Sequence, residues 1–239
     1  MGEKQQWVEE SRGSKIAAVY HGMLTLVEEA AEEEGRSIGE VMLEELVLDP
    51  VSLIESRAET LHIRANLSNT YTTEAGNRRI ILEPDPELVG VPASEVYNLV
   101  PTWVLREDSL ILKNLALKTT ENGIEFIVLY TSKGFSLVLE GEYLRVRLPF
   151  VSVAASVHTH PEGGCGLSLA DIVSGLDLLA ETGLFEAAVT KTCAAILYRV
   201  GPVSEDDYIE ARKAILEARK GREVGPLTLK TVRFRLTGY

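Results

Sequence analysis

Two of the four histidines in this 239-residue chain stand two positions apart, in the segment Val157-His158-Thr159-His160-Pro161. The preceding run, 151–157, reads as a β-strand. Residues i and i+2 of a strand face the same side, so both imidazoles can converge on one point. Eight and eleven residues after His160 come Ser168 and Asp171, at the start of an expected helix. Two imidazoles and one carboxylate leave a fourth tetrahedral position open for water, which is the ligand set of a catalytic Zn2+ rather than of a closed structural site. Each part has an ordinary explanation when taken alone. A His-x-His on a strand is commonly incidental, and Ser-x-x-Asp is a common helix start in which the serine caps and the acid sits in the first turn. The chain carries its own control, Ser204-Glu205-Asp206-Asp207, with no histidine nearby. The weight lies in the conjunction, joined by a glycine-rich loop, 162–166, able to fold the helix start back onto the strand end.

The pattern His158-x-His160-Pro161, then Ser168-x-x-Asp171, resembles the JAMM motif of the MPN/Mov34 metalloprotease family position by position. The resemblance covers about residues 108–200 and extends at most to 239. It implies that His158, His160 and Asp171 bind zinc, that Ser168 helps stabilise the tetrahedral intermediate, and that a glutamate on an upstream strand serves as general base and acid. It also implies an MPN (JAB-type) fold, a mixed and largely antiparallel sheet flanked by helices. The implied activity is peptidase or isopeptidase cleavage at the C-terminal tail of a ubiquitin-like or sulfur-carrier protein. Glu125, opening the run Glu125-Phe126-Ile127-Val128, is the leading choice for the glutamate. Glu140 and Glu142, in an expected turn, are the alternatives. Only 33 residues separate Glu125 from His158, a short spacing closer to RadC-like members.

The elements that must position these residues follow from hydrophobic periodicity. Residues 14–34 have helical spacing and stop at Gly35. A capping box from Ser37 to Glu40 suggests a second helix over 38–48, ending before Pro50. Residues 61–67 and 78–82 read as strands joined by a polar turn. The proline-bearing stretch 83–101 reads as loop with a short helix near 94–99. Runs 110–117 and 124–130 read as strands, with Asn122-Gly123 between them as a hairpin signal. Strands are also expected at 135–139, 143–148, 151–157 and within 186–200. Helices are expected from Ser168 to about Gly183 and from Ser204 to about Lys220. The tail 227–236 alternates with a phase slip at Thr231-Val232. The expected class is α+β or mixed α/β. A soft boundary at 107 divides an acidic N-terminal region, 1–107, from a JAMM/MPN-like zinc hydrolase domain, 108–239.

Charge separates the same two regions. The chain has 24 basic and 36 acidic residues, for a net charge of −12. Residues 1–107 hold 20 acidic and 9 basic residues, whereas 108–239 hold 16 and 15. This balance disfavours nucleic-acid binding and offers no basic patch for a nuclease. If residues 1–107 recognise a partner, their acidity predicts a basic surface on it and salt-sensitive binding. No apolar leader or run of about 18 apolar residues is present, so no membrane span is expected and a cytoplasmic protein is inferred. Cys165 and Cys193 are too few for a disulfide framework and are expected to stay reduced, Cys165 as a small loop residue and Cys193 in the core. His21 and His62 are expected to be structural. The pairs Arg145/Arg147 and Arg233/Arg235 are expected on solvated strand faces.

Two other functions compete with hydrolysis. Many MPN domains are non-catalytic scaffolds or protein-binding modules, so such a role, including a homodimer, is the main alternative. Those usually lack a ligand, whereas every motif position stands here. A metal-dependent phosphoesterase would need further histidines, and none follows His160.

Overall fold

The computed structural model describes residues 6–140, 152–161, 164–222 and 228–238. It is an α+β structure with two mixed sheets and six helices among these residues. The expected strand at 143–148, with Glu142, Arg145 and Arg147, lies outside the described residues.

Helix α1 (Arg12–Glu33) opens on a capping box between Ser11 and Ser14. It ends before Gly35, whose φ of 65° is the left-handed stop its position suggests. Its buried residues run around much of the helix, including Ile16, Ala18, Tyr20, Met23 and Val27. A helix apolar on most sides must be enclosed, and α1 packs against both sheets.

The first sheet has the order β4-β5-β3-β2-β6. Its strands are β2 (Met42–Leu43), β3 (Thr60–Ala65), β4 (Tyr71–Ala75), β5 (Arg78–Pro84) and β6 (Val91–Pro92). Two expectations change here. The helix over 38–48 is a single 3-10 turn, Ile38–Glu40, then β2 and a second 3-10 turn, Glu45–Leu48. The Ser37–Glu40 capping box does form, but Val41 and Leu43 are drawn into the core as Leu43 pairs with Ala65. Pro50 starts helix α2 (Pro50–Glu55) instead of ending one, since proline suits a first helical turn. Strands β3 and β5 run parallel, because the polar stretch between them contains β4. The hairpin is β4–β5, turning at Gly76-Asn77, both with positive φ.

Helix α3 (Ala93–Glu107) is longer than expected and accommodates Pro101 inside it. The expected strand at 110–117 is helix α4 (Ser109–Asn122). Leu112, Leu115, Ala116 and Thr119 are its buried residues, a 3-, 4- and 7-residue spacing that fits one helical face. Gly123, with φ 74°, is therefore the left-handed cap of α4 and not a hairpin turn.

The second sheet has the order β1-β8-β7-β9-β10-β11-β12. It comprises β1 (Gln6–Glu9), β7 (Phe126–Thr131), β8 (Ser136–Glu140), β9 (Val153–Thr159), β10 (Phe185–Val189), β11 (Cys193–Arg199) and β12 (Val232–Gly238). All its pairings are antiparallel except β9–β10. The β12 strand begins at the phase slip, and residues 228–231 before it are not strand. Helices α1, α3 and α4 pack on one face of this sheet. Helix α5 (Leu169–Ala180) covers the other face, with α6 (Glu205–Arg219) packed beside it. The main apolar cluster draws on both sides of position 107, joining Leu24 and Val104 to Val128, Val157 and Ile196.

Candidate metal centre

His158 lies near the end of β9, opposite Ile127 of β7 and beside Ala188 of β10. His160 follows the strand, but its backbone N–H still donates to the Val189 carbonyl at 2.8 Å, which holds it in register. Thr159, between them, is buried and turned to the opposite face. Its hydroxyl lies 2.6 Å from that of Thr119 on α4 and accepts from the Phe126 N–H at 2.8 Å. The strand end is thus pinned from behind while the two imidazoles share the α5 side. Their Nε2 atoms are 3.0 Å apart.

Asp171 comes to the same point from α5. The Ser168 N–H donates to Asp171 Oδ2 at 2.6 Å, and the Asp171 N–H donates to Ser168 Oγ at 3.2 Å. This capping box fixes the carboxylate, leaving Oδ2 3.5 Å from Nε2 of each histidine. Ligands about 2.0–2.1 Å from a tetrahedral Zn2+ stand about 3.3 Å from one another. The observed edges of 3.0, 3.5 and 3.5 Å bracket that value. The three residues form a cluster that can hold a metal ion. His158 is buried while His160 and Asp171 are half-buried, so the cluster is open on one side.

Electrostatics agree with a tight cluster. Burial pulls the His158 pKa down, but hydrogen bonds to Asp171 and Glu186 outweigh it and raise the value to about 9. Burial pushes Asp171 upward, and hydrogen bonds from His158 and His160 outweigh that, holding its carboxyl far below the usual range. Both shifts favour positive charge where the imidazoles meet the carboxylate.

The other expected residues fall as follows. Ser168 is exposed, and its Oγ accepts a hydrogen bond, which leaves its own proton to donate. Glu125 is exposed, one residue before β7. Ile127 pairs with His158 at the end of the β7–β9 ladder, and Glu125 and His160 each lie two residues beyond that pair, just outside the strands. Glu140 pairs with Phe126, whose side chain belongs to the opposite, core face. His21 is buried against Thr182, and burial, then the Arg199 charge, lowers its pKa to about 4. His62 is exposed and paired with Glu83 at 2.7 Å. Arg235 departs from the solvated-face expectation, since its guanidinium lies over Tyr198 and donates to the Asn98 carbonyl at 2.8 Å.

The cysteines depart most. Cys165 and Cys193 form a disulfide, 28 residues apart in sequence. The β10–β11 turn carries the start of β11 up beside the loop that precedes α5, which brings the two residues together. The bond ties the motif loop to the sheet and removes Cys165 from any thiolate ligand set.

One residue of the site was not visible in the sequence. Glu186 of β10 is buried, and its Oε1 is 2.8 Å from His158 Nδ1. The only sequence signal is an acid inside the apolar run Leu184-Phe185-Glu186-Ala187-Ala188-Val189. No model of a known family, no curated protein and no solved structure matches the chain.

Proposed function

We propose that this chain is a JAMM-type zinc hydrolase, a peptidase or isopeptidase acting at the C-terminal tail or isopeptide linkage of a ubiquitin-like or sulfur-carrier protein. The observation that carries the proposal is the convergence of His158 Nε2, His160 Nε2 and Asp171 Oδ2 at tetrahedral edge distances on a partly open surface. His158, His160 and Asp171 would hold Zn2+, which when bound supplies a Lewis acid that acidifies water and polarises a carbonyl. The rest falls to the chain's own groups. Glu125 takes the proton from the attacking water as the oxygen–carbon bond forms. It returns that proton to the nitrogen as the carbon–nitrogen bond breaks. The Ser168 hydroxyl donates to the oxygen that gains charge. The sheet register favours Glu125 over Glu140, because Glu140 pairs with Phe126 on the core face, whereas Glu125 stands two residues before Ile127, the partner of His158. The acidic region 1–107 fits a role in recognising a basic surface on the substrate, with affinity that falls as salt rises. No helix among the described residues is long and apolar enough to cross a membrane.

The test is hydrolysis of a ubiquitin-like protein fused through its C-terminal tail, with chelation and zinc restoration. Cleavage that disappears on chelation, returns with zinc and is lost in Glu125→Gln is the expected result. Cleavage that survives chelation, or none with zinc supplied, would overturn the proposal.

A further inference from the structure

Glu186 is an anomaly in the sheet. It faces α5 between Ser156 on β9 and Leu197 on β11, and Leu197 belongs to an apolar cluster with Leu176 and Leu179 of α5. A carboxylate placed on such a floor is unfavourable unless it is paired and hydrogen-bonded. Its hydrogen-bond partner is His158 Nδ1 at 2.8 Å. A second feature makes room for it. A Cβ at Gly175 of α5 would lie 3.0 Å from both Glu186 Cβ and Leu197 Cδ2. Glycine inside a helix is unfavourable on its own account, and here it lets α5 rest directly on Glu186. Gly175 is four residues after Asp171, so the two share a helix face. The same helix face therefore presents Asp171 to the imidazole edges and covers the carboxylate beneath His158.

An imidazole has two distinct nitrogens, and the partner of one sets the role of the other. A carboxylate at Nδ1 keeps the proton there and leaves the Nε2 lone pair to point where His160 and Asp171 converge. We propose that Glu186 is a positioning residue for the metal centre, holding His158 in the Nε2-donor tautomer and orientation, and that Gly175 exists to seat it. This rests on the metal reading above. It concerns how the ligand is held and not which residues bind.

The experiment uses the full chain stripped of metal. Zinc affinity is measured by competition with a chromophoric chelator, Co2+ binding by its visible absorption, and metal-free stability by thermal melting. Glu186→Leu suits the apolar floor, so its metal-free melting temperature is expected to match or exceed the parent's. Its zinc affinity is expected to fall about 10- to 100-fold, with a changed Co2+ spectrum. Glu186→Gln keeps an acceptor for the Nδ1 proton and should lie between the two, with a loss of about threefold to tenfold. Gly175→Ala should also weaken zinc, because α5 must lift from Glu186. A purely structural carboxylate predicts the reverse pattern, with lower melting temperatures and unchanged affinity. Zinc affinity within threefold of the parent in Glu186→Leu, with an unchanged Co2+ spectrum, overturns the positioning role alone. If Glu186→Leu does not fold, the same result in Glu186→Gln overturns it. A parent chain that binds neither metal overturns the metal reading, and the positioning role with it.

Discussion

Helices α5 and α6 both begin on Ser-x-x-Asp, and in both the serine Oγ accepts from the aspartate N–H at 3.2 Å. Beyond that bond the two starts diverge. Asp171 faces two imidazoles from a half-buried position. Asp207 is buried and accepts from the Lys230 N–H at 3.0 Å, the Thr231 N–H at 2.6 Å and the Thr231 hydroxyl at 2.6 Å. One carboxylate is spent on the backbone that leads into β12, whereas the other faces the two imidazoles. The four-residue pattern alone does not separate them. What separates them is the strand end each helix meets. Helix α5 meets the end of β9, where His158 and His160 share a face, and α6 meets Lys230 and Thr231, which give Asp207 N–H and O–H donors.

Substitutions that exchange the properties of the two starts probe this difference. The largest effect is expected from Asp171→Asn, which should abolish hydrolysis and the rise in melting temperature caused by added zinc, while Asp207→Asn keeps both. Glu125→Gln should lower kcat by about 10²- to 10⁴-fold with zinc content unchanged, read by steady-state kinetics beside metal analysis. Ser168→Ala should lower kcat by about 10²- to 10³-fold, and Ser204→Ala should leave kcat alone. Both serine variants lose a helix cap and should melt earlier, by about 1 kcal/mol of stability each.

Asp207→Asn strands or weakens buried donors and should cost about 1–3 kcal/mol in denaturant unfolding, with turnover of the folded protein unchanged. Its pH dependence has a definite sign. Burial pushes the Asp207 carboxyl up, but bonds from Thr231 and Lys230 outweigh it and hold the carboxyl below its ordinary range. That stabilisation is complete above the unfolded value of about 3.9 and is lost as pH falls through the folded one. The stability gap between parent and Asp207→Asn should therefore narrow on acidification below about pH 4.

The convergence of His158, His160 and Asp171 was legible because its signals are local. The His-x-His repeat needs only strand periodicity, and Ser168 and Ser204 announced their helices by capping. Local signals also misled. Asn122-Gly123 fits a hairpin turn, yet the burial of Leu112, Leu115 and Thr119 makes the segment before it a helix. The Ser37–Glu40 box formed without a helix following, because Leu43 was taken into a strand. What the sequence could not show is non-local. Glu186 reaches His158 only through the parallel β9–β10 pairing, and Cys165 meets Cys193 only because β10 and β11 turn back beside the motif loop. A short polar strand, β4, likewise converts an apparent hairpin into a parallel pair.

On the proposed reading, His158, His160 and Asp171 bind a metal and the matching helix start at Ser204 does not. Zinc content per chain, measured by mass spectrometry after saturation and exhaustive dialysis, tests it most directly. One zinc is predicted in the parent and in Asp207→Asn, and none in Asp171→Asn. A parent without zinc, or an Asp171→Asn chain that keeps a full equivalent, would contradict it.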